Sequence, residues 1–281
     1  MRKKILLPTD FSDNAWNAIV YALELYKYDA CDFYLLNAFT TPLYTTDSLF
    51  MSESTDTRYN VFKQQSEDGL TEIIDKIASK NEYHHFSKLA VFDTPLNAIK
   101  KAVEDNDIEL IVMGTRGKPN LTSIVYGSVA VTVMEKIRNC PTLVVPEKAV
   151  YDSLNNIVFP TSYKTHFKKR ELNFLSRVAE KSSANIRVLH IAKEASLDEN
   201  QLKHKEMLND YFENVIHTFH TLENIDIRTG INSFVESRKI NLIAFINKKH
   251  TFLETILSKP LVKGITCHSK IPVLVLHDLR N

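Results

Sequence analysis

The sequence predicts an α/β protein made of two similar units, each a parallel sheet flanked by helices. Three observations predict it. Short apolar runs alternate with helix-period stretches along the 281 residues, the order that packs strands in parallel with right-handed crossovers. That order then repeats in the second half. Finally, glycine is scarce and concentrated: of six glycines, Gly114, Gly117 and Gly127 fall within residues 113–128, between an apolar run and a helical pattern.

In the first half, residues 4–8 form a buried strand that ends at Pro8-Thr9-Asp10. Ser12 or Asp10 caps the next helix, whose inward face carries Ala15, Ile19, Ala22 and Leu23. Residues 33–39 are the second strand. Residues 40–57 are polar without a period and are expected to be a long loop or lid. A helix over 58–80 turns Ile73, Ile74 and Ile77 inward, and 86–92 is the third strand. Thr94 and Pro95 open a helix as cap and first residue, running to about Glu104. Residues 108–113 are the fourth strand, a helix follows the glycine loop to Arg138, and 142–145 is the fifth strand.

The repeat is explicit. KKILLPTDFS (3–12) aligns with NNIVFPTSYK (155–164), and YLLNAF (34–39) resembles RVLHIA (187–192). ELIVMG (109–114) resembles NLIAFI (241–246), and CPTLVVPE (140–147) resembles IPVLVLHD (271–278). Helices are expected over 165–181, 196–220, 230–239 and 260–268; the third strand of the second unit is too weak to align.

Composition narrows the function classes. A net charge of +1 supplies no electrostatic drive toward nucleic acid or a membrane surface. The apolar run after the basic start is broken by Pro8, short of a signal-peptide core, and no stretch has the length of a membrane span. Cys31, Cys140 and Cys267 are odd in number and far apart, so a cytoplasmic setting without disulfides is expected.

A strand, a glycine loop and a helix start make an anion site, because the first helical N–H groups point at the loop. Gly114, Gly117, Gly127 and Ser128 follow the spacing Gly, two residues, Gly, nine residues, Gly-Ser. With Asp10 and Ser12 after the first strand, Ala38 near the end of the second, and apolar strands after Pro141 and Pro272, the chain resembles the universal stress protein family, in its tandem-domain form. The resemblance implies two Rossmann-like domains of the adenine nucleotide alpha hydrolase-like type, residues 1–148 and 152–281, each with a five-stranded sheet of order 3-2-1-4-5. It implies a site for ATP, or ADP or AMP, formed by Pro8, Thr9, Asp10, Ala38, Met113, Gly114, Gly117, Gly127, Ser128 and Val129; Arg116, unmatched by the signature, sits inside the same loop and is counted with them. Magnesium is compatible with that ligand, but no protein ligand for it is identified. The implied role is in stress response, with slow hydrolysis at most. The alternative is a protein-interaction module of the same family that uses no nucleotide. The implied partners are the nucleotide, the other domain through the terminal strands, and further copies of the chain.

Several features have plainer readings. Arg116 and Lys118 suit a solvated loop as well as charge-assisted phosphate contacts. Cys140 reads as a core thiol. His84 and His85 are adjacent on a strand and face opposite sides. His217 and His220 lie three apart on the expected helix, a metal-compatible spacing without a third ligand. The basic run 164–170 reads as a solvated helix start. The chain lacks the Gly-x-x-x-x-Gly-Lys-Ser/Thr loop of the P-loop enzymes, a Gly-x-Ser-x-Gly elbow, and the Ser-Gly-Gly-type loop of adenylyl-transferring enzymes after strand one. In the second unit the counterpart of the glycine loop begins Ile246-Asn247-Lys248-Lys249-His250, and Ser162 replaces Asp10. That unit is expected to bind no nucleotide in the same manner.

Overall fold

The structure, a computed structural model, describes residues 2–40, 55–77, 81–115, 127–192, 196–247 and 271–277. The first half runs β1 (Lys3–Pro8), α1 (Asp13–Leu25), β2 (Cys31–Phe39), α2 (Thr55–Ile77), β3 (His84–Phe92), α3 (Pro95–Asn106), β4 (Leu110–Gly114), α4 (Ser128–Lys136) and β5 (Thr142–Val145). The second runs β6 (Asn156–Pro160), α5 (Lys169–Ser182), β7 (Asn185–Ala192), α6 (Glu199–Tyr211), β8 (His217–Glu223), α7 (Ile227–Ser237), β9 (Leu242–Asn247) and β10 (Val273–His277). The expected helix at 260–268 and most of the segment 40–57 lie outside the described residues.

All strands join one sheet in the order β3-β2-β1-β4-β5-β10-β9-β6-β7-β8. Each half therefore has the order 3-2-1-4-5 and is parallel throughout. The halves meet antiparallel, with Val144 opposite Val273 and Leu143 opposite Leu274. β5 and β10 are short and wholly buried. Left apart, each would expose an apolar edge with unpaired main-chain groups, and pairing them removes both.

Alternation along the strands sorts two cores. Ile5, Leu7, Phe33 and Leu35 face α1 and α2, and their counterparts in the second half face α5 and α6. Leu6, Leu36, Ile111 and Met113 face α3 and α4, with Ile243 and Val275 continuing that layer to α7.

α2 begins at Thr55 rather than 58, and three helices of the second half differ from their sequence expectations. The helix expected over 196–220 ends at Tyr211, and His217 and His220 sit on β8, which pairs in register with β7 from Ile186–His217 to Ala192–Glu223. The stretch from Val215 to Leu222 holds four β-branched residues, which fit a pleated surface better than a helix. Residues three apart on a strand face opposite sides, so these histidines cannot share a metal. His217 Nδ1 instead lies 2.9 Å from the Val215 carbonyl, and His220 Nε2 lies 2.9 Å from the Thr218 hydroxyl.

α5 begins at Lys169, one turn later than expected, after the buried Tyr163 enters the left-handed region at φ 56°. α7 begins at Ile227 rather than 230, because the Asp226 carboxylate caps it by accepting from the Arg228 and Thr229 amides. Gly230 is therefore inside that helix; a Cβ there would come within 2.8 Å of Ile191 on β7.

Candidate functional site

At the carboxyl ends of β1 and β4 the chain leaves the sheet toward opposite faces, to α1 and to α4. That divergence opens a crevice, the usual ligand position in such sheets. It holds a cavity of about 320 Å³. Nine of the eleven residues expected from the sequence line it: Pro8, Thr9, Asp10, Ala38, Met113, Gly114, Gly127, Ser128 and Val129. Arg116 and Gly117 lie outside the described residues, as does Lys118.

The floor is built by β1 and β2. Thr9 N–H donates to the Leu36 carbonyl at 2.8 Å, extending the ladder one residue past β1. Asn37 Nδ2 donates to the Thr9 carbonyl at 2.8 Å, and Ser66 on α2 donates to Asn37 Oδ1 at 2.8 Å. These three side chains are buried, so the rim at Pro8–Asp10 is braced from beneath by a satisfied network. Phe11 then takes a left-handed turn at φ 63°, its N–H donating to Thr9 Oγ1. Ser12 is the cap of α1 and accepts from the Ala15 amide. Asp10 Oδ1 accepts from both the Ser12 amide and the Ser12 hydroxyl, the latter at 2.6 Å. Asp10 thus orients the cap as well as lining the cavity.

The opposite wall comes from β4 and α4. A Cβ on Gly114 would lie 2.9 Å from Asn14 Oδ1 and 3.0 Å from the Asn14 carbonyl oxygen. Glycine at this position lets α1 seat against the end of β4. Thr115 follows, buried, with its hydroxyl accepting from Asn14 Nδ2 at 3.0 Å. Its carbonyl accepts from Gly127 N–H at 2.6 Å, which draws the start of α4 back to the strand end. Gly127 is the helix cap at φ −66°, ψ 156°. Ser128, Val129 and Ala130 form the first turn and line the cavity, where the leading N–H groups of a helix lack partners within it. The positive end of the helix dipole therefore faces the crevice.

Leu36, Pro95 and Ile99 complete the apolar lining, and sequence reasoning missed them. Leu36 was legible as the residue two before Ala38 on the same strand face; Pro95 and Ile99 depend on where α3 crosses. Among the described lining residues, Asp10 is the single ionisable side chain. A larger cavity, about 630 Å³, runs beside α5 and is lined by Lys169, Arg170 and Arg177 together with Glu109 and Glu180. It reaches Leu276 and His277 at the end of β10, and its charges are of both signs.

The second half keeps the turn, with different residues at the described positions equivalent to those lining the crevice. Thr161 repeats Thr9: its N–H donates to the Leu189 carbonyl, and its hydroxyl accepts from Tyr163 N–H. The Ser162 carbonyl, however, is occupied by Gln201 Nε2 at 2.8 Å. Ile246 stands where Gly114 would be, buried against the α5 layer. α5 starts at Lys169, a turn later than α1 does relative to its strand. Residues 248–270, which include Ser258 and Lys259, lie outside the described residues.

Of the remaining candidates, Cys140 is a core thiol that donates to the Ile108 carbonyl at 3.4 Å, with burial pushing its pKa well up. Cys31 is buried and raised to about 11 by burial, largely. Cys267 lies outside the described residues. His84 is buried with Nε2 3.1 Å from the Tyr26 carbonyl, and desolvation lowers its pKa; His85 projects outward toward Asp32. Among the described residues no three metal-ligating side chains cluster, and no helix is long and apolar enough to cross a membrane.

Residues 1–146 match the sequence profile of the universal stress protein family. Two universal stress proteins of Methanocaldococcus jannaschii are similar to this chain. One is 30% identical over 158 residues, covering 53% of this chain and 97% of the relative. The other is 30% identical over 143 residues, covering 51% and 81%. Among solved structures, a universal stress protein from Archaeoglobus fulgidus aligns over 98% of this chain and 96% of its own, at 19% identity with a TM-score of 0.69. A protein from Pseudomonas aeruginosa described as a putative universal stress protein aligns over 98% and 93%, at 10% identity with a TM-score of 0.60. At these identities the two structures speak to the fold, which they share across both halves.

Proposed function

Because the chain belongs to the universal stress protein family, we propose that its first half binds one adenine nucleotide, ATP or its di- or monophosphate, in the crevice between β1 and β4. The observation that carries this reading is convergence: residues from β1, β2, β4 and α4 that the family resemblance singles out line one cavity with a helix N-terminus at its edge. The volume falls in the usual range for small-molecule sites. Leu36, Ala38, Ile99 and Met113 offer an apolar slot for a flat base, and main-chain groups at the strand ends offer hydrogen bonds to its edge. The leading N–H groups of α4, which have no partners within the helix, suit a phosphate, with Ser128 Oγ as a further donor. Asp10 suits a ribose hydroxyl. Arg116 and Gly117 belong to the same loop and are assigned to the phosphates.

In this reading residues 1–148 form the nucleotide-binding domain and 152–281 a degenerate copy, paired as an internal pseudo-dimer through β5 and β10. The protein acts in the cytoplasm in stress response, with nucleotide as ligand or signal and slow hydrolysis at most. Native mass spectrometry of protein freshly purified from cells is expected to show a fraction heavier by one adenine nucleotide. If no such species occurs and the stripped protein takes up no fluorescent ATP analogue, the nucleotide-free interaction module is the better account.

A further inference from the structure

Helix α4 is anchored at its two ends by different halves of the chain. Its start is tied to the first half by Gly127 N–H on the Thr115 carbonyl, and its first turn lines the crevice. Its finish is held from the second half. The last carbonyls of a helix lack partners within it. One of them, Met134 O, accepts Asn247 Nδ2 at 2.7 Å from 113 residues away. Asn247 is only 4% exposed. Arg138, just past the helix, donates Nη1 to the Asn247 carbonyl at 3.2 Å, so the contact runs both ways. Asn247 itself is fixed as the last residue of β9, opposite His277 on β10.

We propose that Asn247 is a positioning residue for the nucleotide site, and that the second half contributes the seat of α4 in place of a second ligand site. The proposal rests on the nucleotide reading above. Asn247 follows Ile246 as Thr115 follows Gly114, yet the two residues are turned to different partners. Thr115 bonds to Asn14 within its own half, whereas Asn247 reaches across the junction. α4 has nine residues, a rod of roughly 13 Å. A rod that short transmits a shift or tilt at its finish directly to its start. With Asn247 in place, the phosphate-facing N–H groups are held before the ligand arrives. Without it, binding must also order the helix, and affinity falls.

The test measures ATP affinity of the full chain in three forms: wild type, Asn247→Ala, and Val188→Ala on β7, which loosens the other core layer without touching α4. Asn247→Ala is expected to weaken ATP binding about tenfold, the order expected for one buried hydrogen bond. Val188→Ala is expected to lower the melting temperature and leave affinity within twofold. Equal affinity in wild type and Asn247→Ala overturns the proposal, as does an equal loss in Val188→Ala. A wild type that binds no ATP overturns the nucleotide reading itself, and the positioning role with it. If Asn247→Ala does not fold, hydrogen exchange in the wild type decides. By linkage, saturating ATP is expected to slow exchange of the Ile137 amide, which closes the last turn of α4 on the Val133 carbonyl. Unchanged exchange there contradicts the coupling.

Discussion

A Gly114→Val variant is expected to lose about 3 kcal/mol of folding stability, in the range for overpacked interiors. For a chain of this size that corresponds to a fall of roughly 10 °C in melting temperature. The cause is space, not backbone conformation. The first atom added meets Asn14 at 2.9 Å on its amide oxygen and at 3.0 Å on its main-chain oxygen. The amide can rotate away, but the main-chain oxygen belongs to the first turn of α1 and cannot move without the helix. A double variant with Asn14→Ala is therefore expected to recover only part of the loss. An unchanged melting temperature in Gly114→Val contradicts this account of the β4–α1 contact. In the second half, where Ile246 stands at this position, the helix begins a turn later.

Gly127→Val is expected to do the opposite, costing only about 1 kcal/mol of stability for the poorer helix cap and weakening nucleotide affinity by 100-fold or more, about 2.7 kcal/mol. Gly127 sits at φ −66°, ψ 156°, a conformation open to any L-residue. Its N–H bond to Thr115 does not involve a side chain. What valine adds is a branched group at a residue that lines the cavity, next to the first turn of α4 where the proposed phosphate would sit. Thermal melting and equilibrium titration with ATP check both halves of the expectation. Near-wild-type affinity in a well-folded Gly127→Val protein contradicts the phosphate assignment. The two glycines belong to one spaced motif and both line the crevice, while Gly114 also packs against Asn14 of α1.

Much of the fold was legible because its elements carry strong local signals. The strands ending at Pro8 and Val145 are continuous apolar runs, α3 opens on Thr94-Pro95, and the repeat of Pro8-Thr9 at Pro160-Thr161 marks the second unit. The wall of the candidate site was legible for the same reason, since glycine spacing is local to one loop and places Gly114, Gly127 and Ser128 together. What was not legible depends on partners distant in sequence. Residues 217–220 of β8 fall in an expected helix: the β-branched residues there are a local signal, but the pairing with β7 that makes them a strand is not. The packing need at Gly114 lies in Asn14, 100 residues earlier, and nothing near Asn247 signals that its amide caps a helix of the other half. The start of α7 is a different case. The Asp226 cap was local and visible, and Gly230 was mistaken for the helix boundary.

Calorimetric titration of the nucleotide-stripped full chain with ATP tests the central claim most directly, because it counts sites. The account predicts one ATP per chain, with the heat of binding lost in Gly127→Val. Two equivalents per chain, no binding at all, or undiminished binding in that variant would contradict a single nucleotide site at the β1–β4 crevice.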